Sequence, residues 1–148
     1  MGLSAAYDRR VSGPSAVDAA SPPDRVAAEF NEAINRRDLG VLADLMTEDH
    51  TFVDSDGNVF AGRAQVVAAW EGFFAAFPDY RNEWAHVSTT GELVVALGRS
   101  VCSTEEALDG PAIWTARTER GRVTEWRVYD DTLESRRRLG LEPQGSQP

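Results

Sequence analysis

The apolar residues of this chain change their spacing twice, and those changes constrain what it can fold into more than any other feature. Between positions 23 and 46 they recur every three or four residues: Val26, Phe30 and Ile34 form one stripe, and Leu39, Leu42, Leu45 and Met46 a second. A repeat near 3.6 marks a helix that buries one face. Ser21-Pro22-Pro23-Asp24 provides the start, with prolines in the first turn and an acid near the positive end of the helix dipole. Asp38 stands where it can cap the second helix. His50 to Asp54 then reads as a short strand, with Asp56-Gly57-Asn58 as its turn. From Arg63 the helical period returns through Val66, Val67, Trp70, Phe73, Phe74 and Phe77, until Pro78 stops it.

Beyond Pro78 the pattern is strand-like: Trp84 to Thr90, a Gly91-Glu92 turn, Leu93 to Ser103, a loop through Gly110-Pro111, Ala112 to Thr118, and Val123 to Asp131 after a tight turn at Arg120-Gly121. Three helices followed by hairpin-connected strands predict an α+β domain, its helices on one face of a mainly antiparallel sheet. A flexible arm is expected over 1–23, one domain over 24–141 and a disordered tail over 142–148. A chain of 148 residues has room for one core and hardly for two.

Charge and residue usage narrow the function classes. The formal net charge of −9 is spread along the chain; such a surface repels phosphate backbones and anionic lipid, which disfavours nucleic acid and membrane as partners. All 15 basic residues are arginine, so neither a lysine Schiff base nor a phosphate-loop lysine is available. Cys102 is the single cysteine and forms no internal disulfide. No apolar run approaches a membrane span, and residues 1–23 lack the apolar middle of a signal peptide. A cytoplasmic location is the resulting expectation. His50, His86 and Cys102 are scattered, with no two at ligand spacing, so no metal site and no cofactor is expected.

Three stretches carry a resemblance to a known family: NRRDLGVLADLMTEDHTFVDSDG (35–57), GRAQVVAAWEGFFAAFPDYRN (62–82) and GRVTEWRVYDDTLESRRRLGL (121–141). Together they are similar to the NTF2-like superfamily, and the last resembles its SnoaL-like branch. That resemblance implies a strongly curved sheet wrapped around three helices as a cone, with a small-molecule pocket at the open end. It also implies a homodimer through the outer sheet face. Relatives include polyketide cyclases, ketosteroid isomerases, limonene-type epoxide hydrolases and proteins without catalysis.

The candidate catalytic residues are Asp54, Asp131 and Arg127. Alternation along a strand puts Asp54 on the same face as Phe52, toward a pocket, and the resemblance places it at the proton-abstracting position of the isomerases. Its plainer reading is a turn residue in Asp54-Ser55-Asp56-Gly57. Asp131 is selected over Asp130 by the family pattern, eight residues after Val123 and eight before Leu139. Unbroken alternation from Val123 then carries Arg127, Tyr129 and Asp131 inward, and a β-bulge reverses that assignment. The plainer reading of Arg127 and Asp131 is a solvent-facing ion pair.

The candidate pocket wall is Trp114, Tyr129, His50, Phe30 and Tyr80. Phe30 occupies the isomerases' tyrosine position, and their protonated acid falls at or beside Trp114. Neither residue replaces the missing acid or phenol, which disfavours steroid isomerisation. These features lead to a cofactor-independent acid–base enzyme of cyclase, isomerase or epoxide-hydrolase type acting on an apolar organic molecule. The alternative is a binding protein that leaves its small molecule unchanged.

Overall fold

The computed structural model describes residues 17–141. The tail over 142–148 and the arm as far as residue 16 lie outside the described residues. The rest of the arm forms a turn, the Ser21 amide donating to the Asp18 carbonyl at 3.0 Å, with Val17 packed on the core.

Helix α1 (Pro23–Arg36) begins on a proline and buries Val26, Ala27, Phe30, Ala33 and Ile34 along one face. It ends where Arg37 turns left-handed, at φ 57°. Asp38 caps α2 (Leu39–Leu45), accepting from the Val41 amide at 3.1 Å. Strand β1 (Met46–Val53) follows without a loop, so Met46, expected at the end of the helix, opens the strand. The three-residue β2 (Val59–Ala61) pairs back onto β1; a strand that short has no period to read. Helix α3 (Arg63–Ala76) stops before Pro78. Four long strands then run as β3 (Arg81–Thr90), β4 (Leu93–Val101), β5 (Gly110–Glu119) and β6 (Arg122–Asp130), before the short α4 (Leu133–Arg138).

The six strands form one sheet in the order β2-β1-β6-β5-β4-β3. Every pairing is antiparallel except β1 with β6, which is parallel. Helix α1 lies against β3, β4, β5 and β6, in the concave side of the sheet. The sheet therefore curves around α1 as the resemblance implies, and two bulges help it bend. One sits on β3 between Trp84 and His86, opposite Gly98. A side chain at Gly98 is excluded by the close approach of the strands: a Cβ there would stand 2.0 Å from the Glu83 carbonyl oxygen.

The second bulge sets the face of β6. Arg117 pairs with Glu125 but Thr118 pairs with Val123, which leaves Thr124 as the extra residue. Val123 and Trp126 are consequently both buried on the inner side, at 0% and 1% exposure. Side chains of β1 take up the carbonyls around the bulge. His50 Nδ1 donates to Val123 O at 2.7 Å, and Thr51 Oγ1 to Thr124 O at 3.4 Å. Thr124 Oγ1 itself donates to Arg117 O at 3.2 Å. Buried backbone carbonyls are almost always paired, so these contacts account for a bulge tolerated in the middle of the sheet. They also reverse the alternation expected beyond Val123.

Candidate functional site

One cavity of about 300 Å³ opens at the end of the cone. Its wall is aromatic: Phe52 on β1, Phe60 on β2, Trp70 and Phe73 on α3, Trp114 on β5 and Trp126 on β6. These rings lean on one another, with Phe52 5.2 Å from Trp70 and Trp70 5.7 Å from Phe73 between centroids. Aromatic pairs at these separations add about 0.5–1.5 kcal/mol each beyond the area they bury, which holds the wall together. The mouth is formed by the turn after β1, the segment leading into β5 and the last residue of β6.

Two of the hydroxyls that line the cavity meet in its wall. Tyr80, carried just past the Pro78 turn, places its phenol 3.3 Å from Ser100 Oγ on β4. Burial pushes the Tyr80 phenol above its ordinary range, opposed by the Ser100 hydrogen bond. Each hydroxyl owns one proton and only one is used between them, so the pair keeps a donor for a bound molecule. Tyr80 is held from behind by Asp79, whose carboxylate accepts from the Ser103 amide at 2.9 Å and from Thr104 Oγ1 at 3.0 Å. Those contacts, above all the Ser103 hydroxyl, hold Asp79 well below the usual carboxylate range.

Four carboxylates stand at the mouth: Asp54, Asp56, Asp109 and Asp130. Asp54 satisfies both readings made from the sequence. It lines the cavity, yet its oxygens close their own turn by accepting from the Asp56 amide at 2.9 Å, the Asn58 amide at 2.9 Å and Asn58 Nδ2 at 3.0 Å. Asp109 has Arg99 at 3.9 Å. Asp130 differs: among the described residues no hydrogen bond or ion pair engages its carboxylate.

The bulge at Thr124 corrects the expected face of β6. Trp126, Val128 and Asp130 line the cavity, while Arg127, Tyr129 and Asp131 do not. Arg127 lies over the Tyr129 ring, 4.8 Å from its centroid, on the opposite face. Asp131 comes after the strand, and Arg136 of α4 grips both its oxygens at 2.6 and 2.9 Å. That grip raises the Arg136 guanidinium further above its ordinary value. This ion pair is nearly buried, its side chains 13% and 6% exposed, and Arg136 and not Arg127 is the partner, so it differs from the solvent-facing pair of the plainer reading. Asp131 thus anchors α4, and the inward carboxylate is its neighbour.

Of the other expected wall residues, Trp114 and Tyr80 line the cavity, whereas His50 and Phe30 lie behind it in the core. Phe30 packs between the His50 ring, 5.6 Å away, and Trp126, 4.5 Å away. It supports the wall from behind, because the inward Trp126 occupies the layer between it and the cavity. His50 is fully buried, and that burial holds its ring below the ordinary 6.5, against the opposing pull of the Val123 hydrogen bond and the Asp49 charge. The sequence reading missed Ser100, whose signal was faint: a serine two residues before a buried cysteine on a strand.

The match to a family model settles the descent of this arrangement. The model for the SnoaL-like domain covers residues 27–126, well over half the chain. The chain belongs to the SnoaL-like family. Solved structures agree on the SnoaL-like fold. A candidate SnoaL-like polyketide cyclase from Shewanella putrefaciens superposes with a TM-score of 0.66 at 20% identity, over 83% of this chain and 89% of that one. An NTF2-like protein of unknown function from Burkholderia pseudomallei gives 0.62 at 22%, over 79% and 96%. A candidate ketosteroid isomerase from Kribbella flavida gives 0.62 at 15%, over 72% and 76%. Identities this low establish the shared fold alone. None of the curated proteins matches this sequence. No helix among the described residues is long and apolar enough to cross a membrane.

Proposed function

We propose that this SnoaL-like protein is a cofactor-independent acid–base enzyme, of cyclase, isomerase or hydrolase type, acting on a small organic molecule with an apolar body. The observation that carries the reading is Asp130, a carboxylate in the cavity wall with no partner among the described residues. A carboxylate at the mouth of a substrate cavity, with no cation of the protein among the described residues paired to it, is suited to take a proton from carbon or water and return it. The Tyr80–Ser100 pair supplies the complementary group, a spare O–H for an oxygen on which charge develops. Asp130 pairs with Ala112 on β5, and Ser100 lies one further strand away on β4. Ser100 is two residues along β4 from Gly98, the residue opposite Ala112, so two strand spacings with that offset give roughly 12 Å, a span for one substrate to bridge.

Asp54 serves in this reading as the brace of the mouth, since both its oxygens are committed to the turn. The homodimer belongs to the same proposal. Leu97, Ile113 and Tyr129 form one cross-strand row on the outer face, and Val95, Thr115 and Arg127 the next. Ile113 and Thr115 are already buried in the single chain, at 0% and 4% exposure, so the half-buried Val95, Leu97 and Tyr129 are what this face offers a second copy; sedimentation at micromolar concentration tests it. We place the protein in the cytoplasm on the sequence grounds already given.

The test of function is a thermal-shift panel of polyketide-like, terpenoid, steroid and epoxide compounds, followed by turnover of the binders. A ligand at a hundred times its dissociation constant adds about 2.7 kcal/mol. Turnover that falls at least about a hundredfold in Asp130→Asn, with binding and fold kept, supports the enzyme. Binders recovered unchanged by the wild type favour the alternative, a protein that holds its ligand without chemistry. Full turnover by Asp130→Asn refutes the assigned role.

A further inference from the structure

The cavity joins two features that select one kind of ligand charge. Ring faces carry negative potential and attract cations, and seven aromatic side chains line this wall. The mouth adds four carboxylates, while among the described residues no arginine or histidine lines the cavity. Two of the four are already engaged, Asp54 by its turn and Asp109 by Arg99. Asp56 and Asp130 have no hydrogen bond or ion pair to their carboxylates among the described residues. Like charges gathered at one rim repel, and a bound cation relieves that repulsion. A net charge of −9 draws cations toward the same place from a distance.

A donor for the ligand lies in the wall. The Tyr80–Ser100 pair is nearly buried, at 8% exposure each, and keeps one hydroxyl proton unused, so it asks for an acceptor from the bound molecule. The interior therefore offers a donor and the rim offers negative charge.

We infer that the ligand of this cavity is an amphipathic amine. Its protonated nitrogen sits at the mouth between Asp56 and Asp130, its apolar ring body lies against the half-buried Phe52, Phe60 and Phe73, and an oxygen acceptor points inward to Tyr80. This rests on the cavity being the small-molecule site and narrows the substrate class. It does not depend on Asp130 transferring a proton.

Isothermal titration with three matched probes tests it at pH 7. They are 3-(6-methoxynaphthalen-2-yl)propan-1-amine, the corresponding propan-1-ol and the corresponding propanoic acid, which differ chiefly in the charge of one terminus. The amine binds at least about tenfold tighter than the alcohol, equivalent to about 1.4 kcal/mol, and the acid binds weakest. The preference shrinks on going from low to high salt. It disappears in the Asp56→Asn, Asp130→Asn double variant, which keeps the alcohol's affinity; both positions are exposed, and thermal unfolding reports the fold. Equal affinity for amine and alcohol, or tighter binding of the acid, overturns the amine assignment and leaves the pocket and the acid–base reading standing. Failure of all three probes to bind overturns both this inference and the small-molecule site.

Discussion

His50 makes the stability of this protein depend on pH in a way that can be worked out in advance. Its ring is fully buried, and Nδ1 faces the Val123 carbonyl at 2.7 Å. A carbonyl only accepts, so Nδ1 carries the proton in the neutral ring. Nε2 is buried and has no partner among the described residues. Protonating Nε2 places a charge and an unmatched donor in the dehydrated core, which is why burial outweighs the pull of Val123 and Asp49 and the folded ring titrates below 6.5. The sign follows directly. The unfolded chain binds the proton first, so the contribution is present above 6.5 and is lost as pH falls toward the folded value. Within that window the slope is at most about 1.4 kcal/mol per pH unit. The assay is urea unfolding from pH 8 to 5 on the wild type and on His50→Asn, which retains a short donor near Nδ1 and cannot titrate. Carboxylates affect both proteins alike, so the difference between the curves isolates the imidazole. That difference is flat near pH 8 and bends below about 6.5. Two parallel curves throughout the range would refute the argument.

Three further outcomes follow from the geometry. Gly98→Ala destabilises by about 1–3 kcal/mol, because its Cβ meets the Glu83 carbonyl across the bulge; urea midpoints measure this, and a neutral result contradicts the close approach. Arg136→Ala costs about 2 kcal/mol and frees α4, since Asp131 then loses its bidentate partner; amide exchange in 133–138 reads the loss directly. Trp126→Ala removes a 1% exposed ring packed on Phe30 and costs about 3–5 kcal/mol, with probe binding lost even below the temperature at which the variant unfolds.

How much of this was legible in the sequence depends on how far each cause lies from its effect. Helices α1 and α3 were legible because their signals are local: the spacing of Val26, Phe30 and Ile34, and the stop at Pro78. The turn at Arg120-Gly121 was equally local; both residues adopt positive φ, at 53° and 83°, as a two-residue hairpin of this twist requires. The bulge at Thr124 was legible only as an alternative to unbroken alternation. Nothing in Gly-Arg-Val-Thr-Glu-Trp decides for the extra residue, because the carbonyls it releases are met by His50 and Thr51 from 73 residues earlier. That one residue moved the inward carboxylate from Asp131 to Asp130 and turned Arg127 and Tyr129 to the other face. Asp54 shows a different limit. Strand parity and turn chemistry both described it correctly, and only the occupancy of its oxygens shows what it does there.

The parallel pairing of β1 with β6 has a consequence for how the chain is built. A ribosome releases β1 and β2 early, but their only partner beyond each other is the strand that emerges last among those described. Until then the open edge of β1 has no strand to pair with, and Phe52 has only Phe60 and Trp70 beside it. Contacts between distant parts of a chain form slowly and leave exposed edges in the interval. The aromatic end of the cone is thus completed in the final step of folding, and a nascent chain that stalls before Trp126 presents a sticky edge for a chaperone to hold.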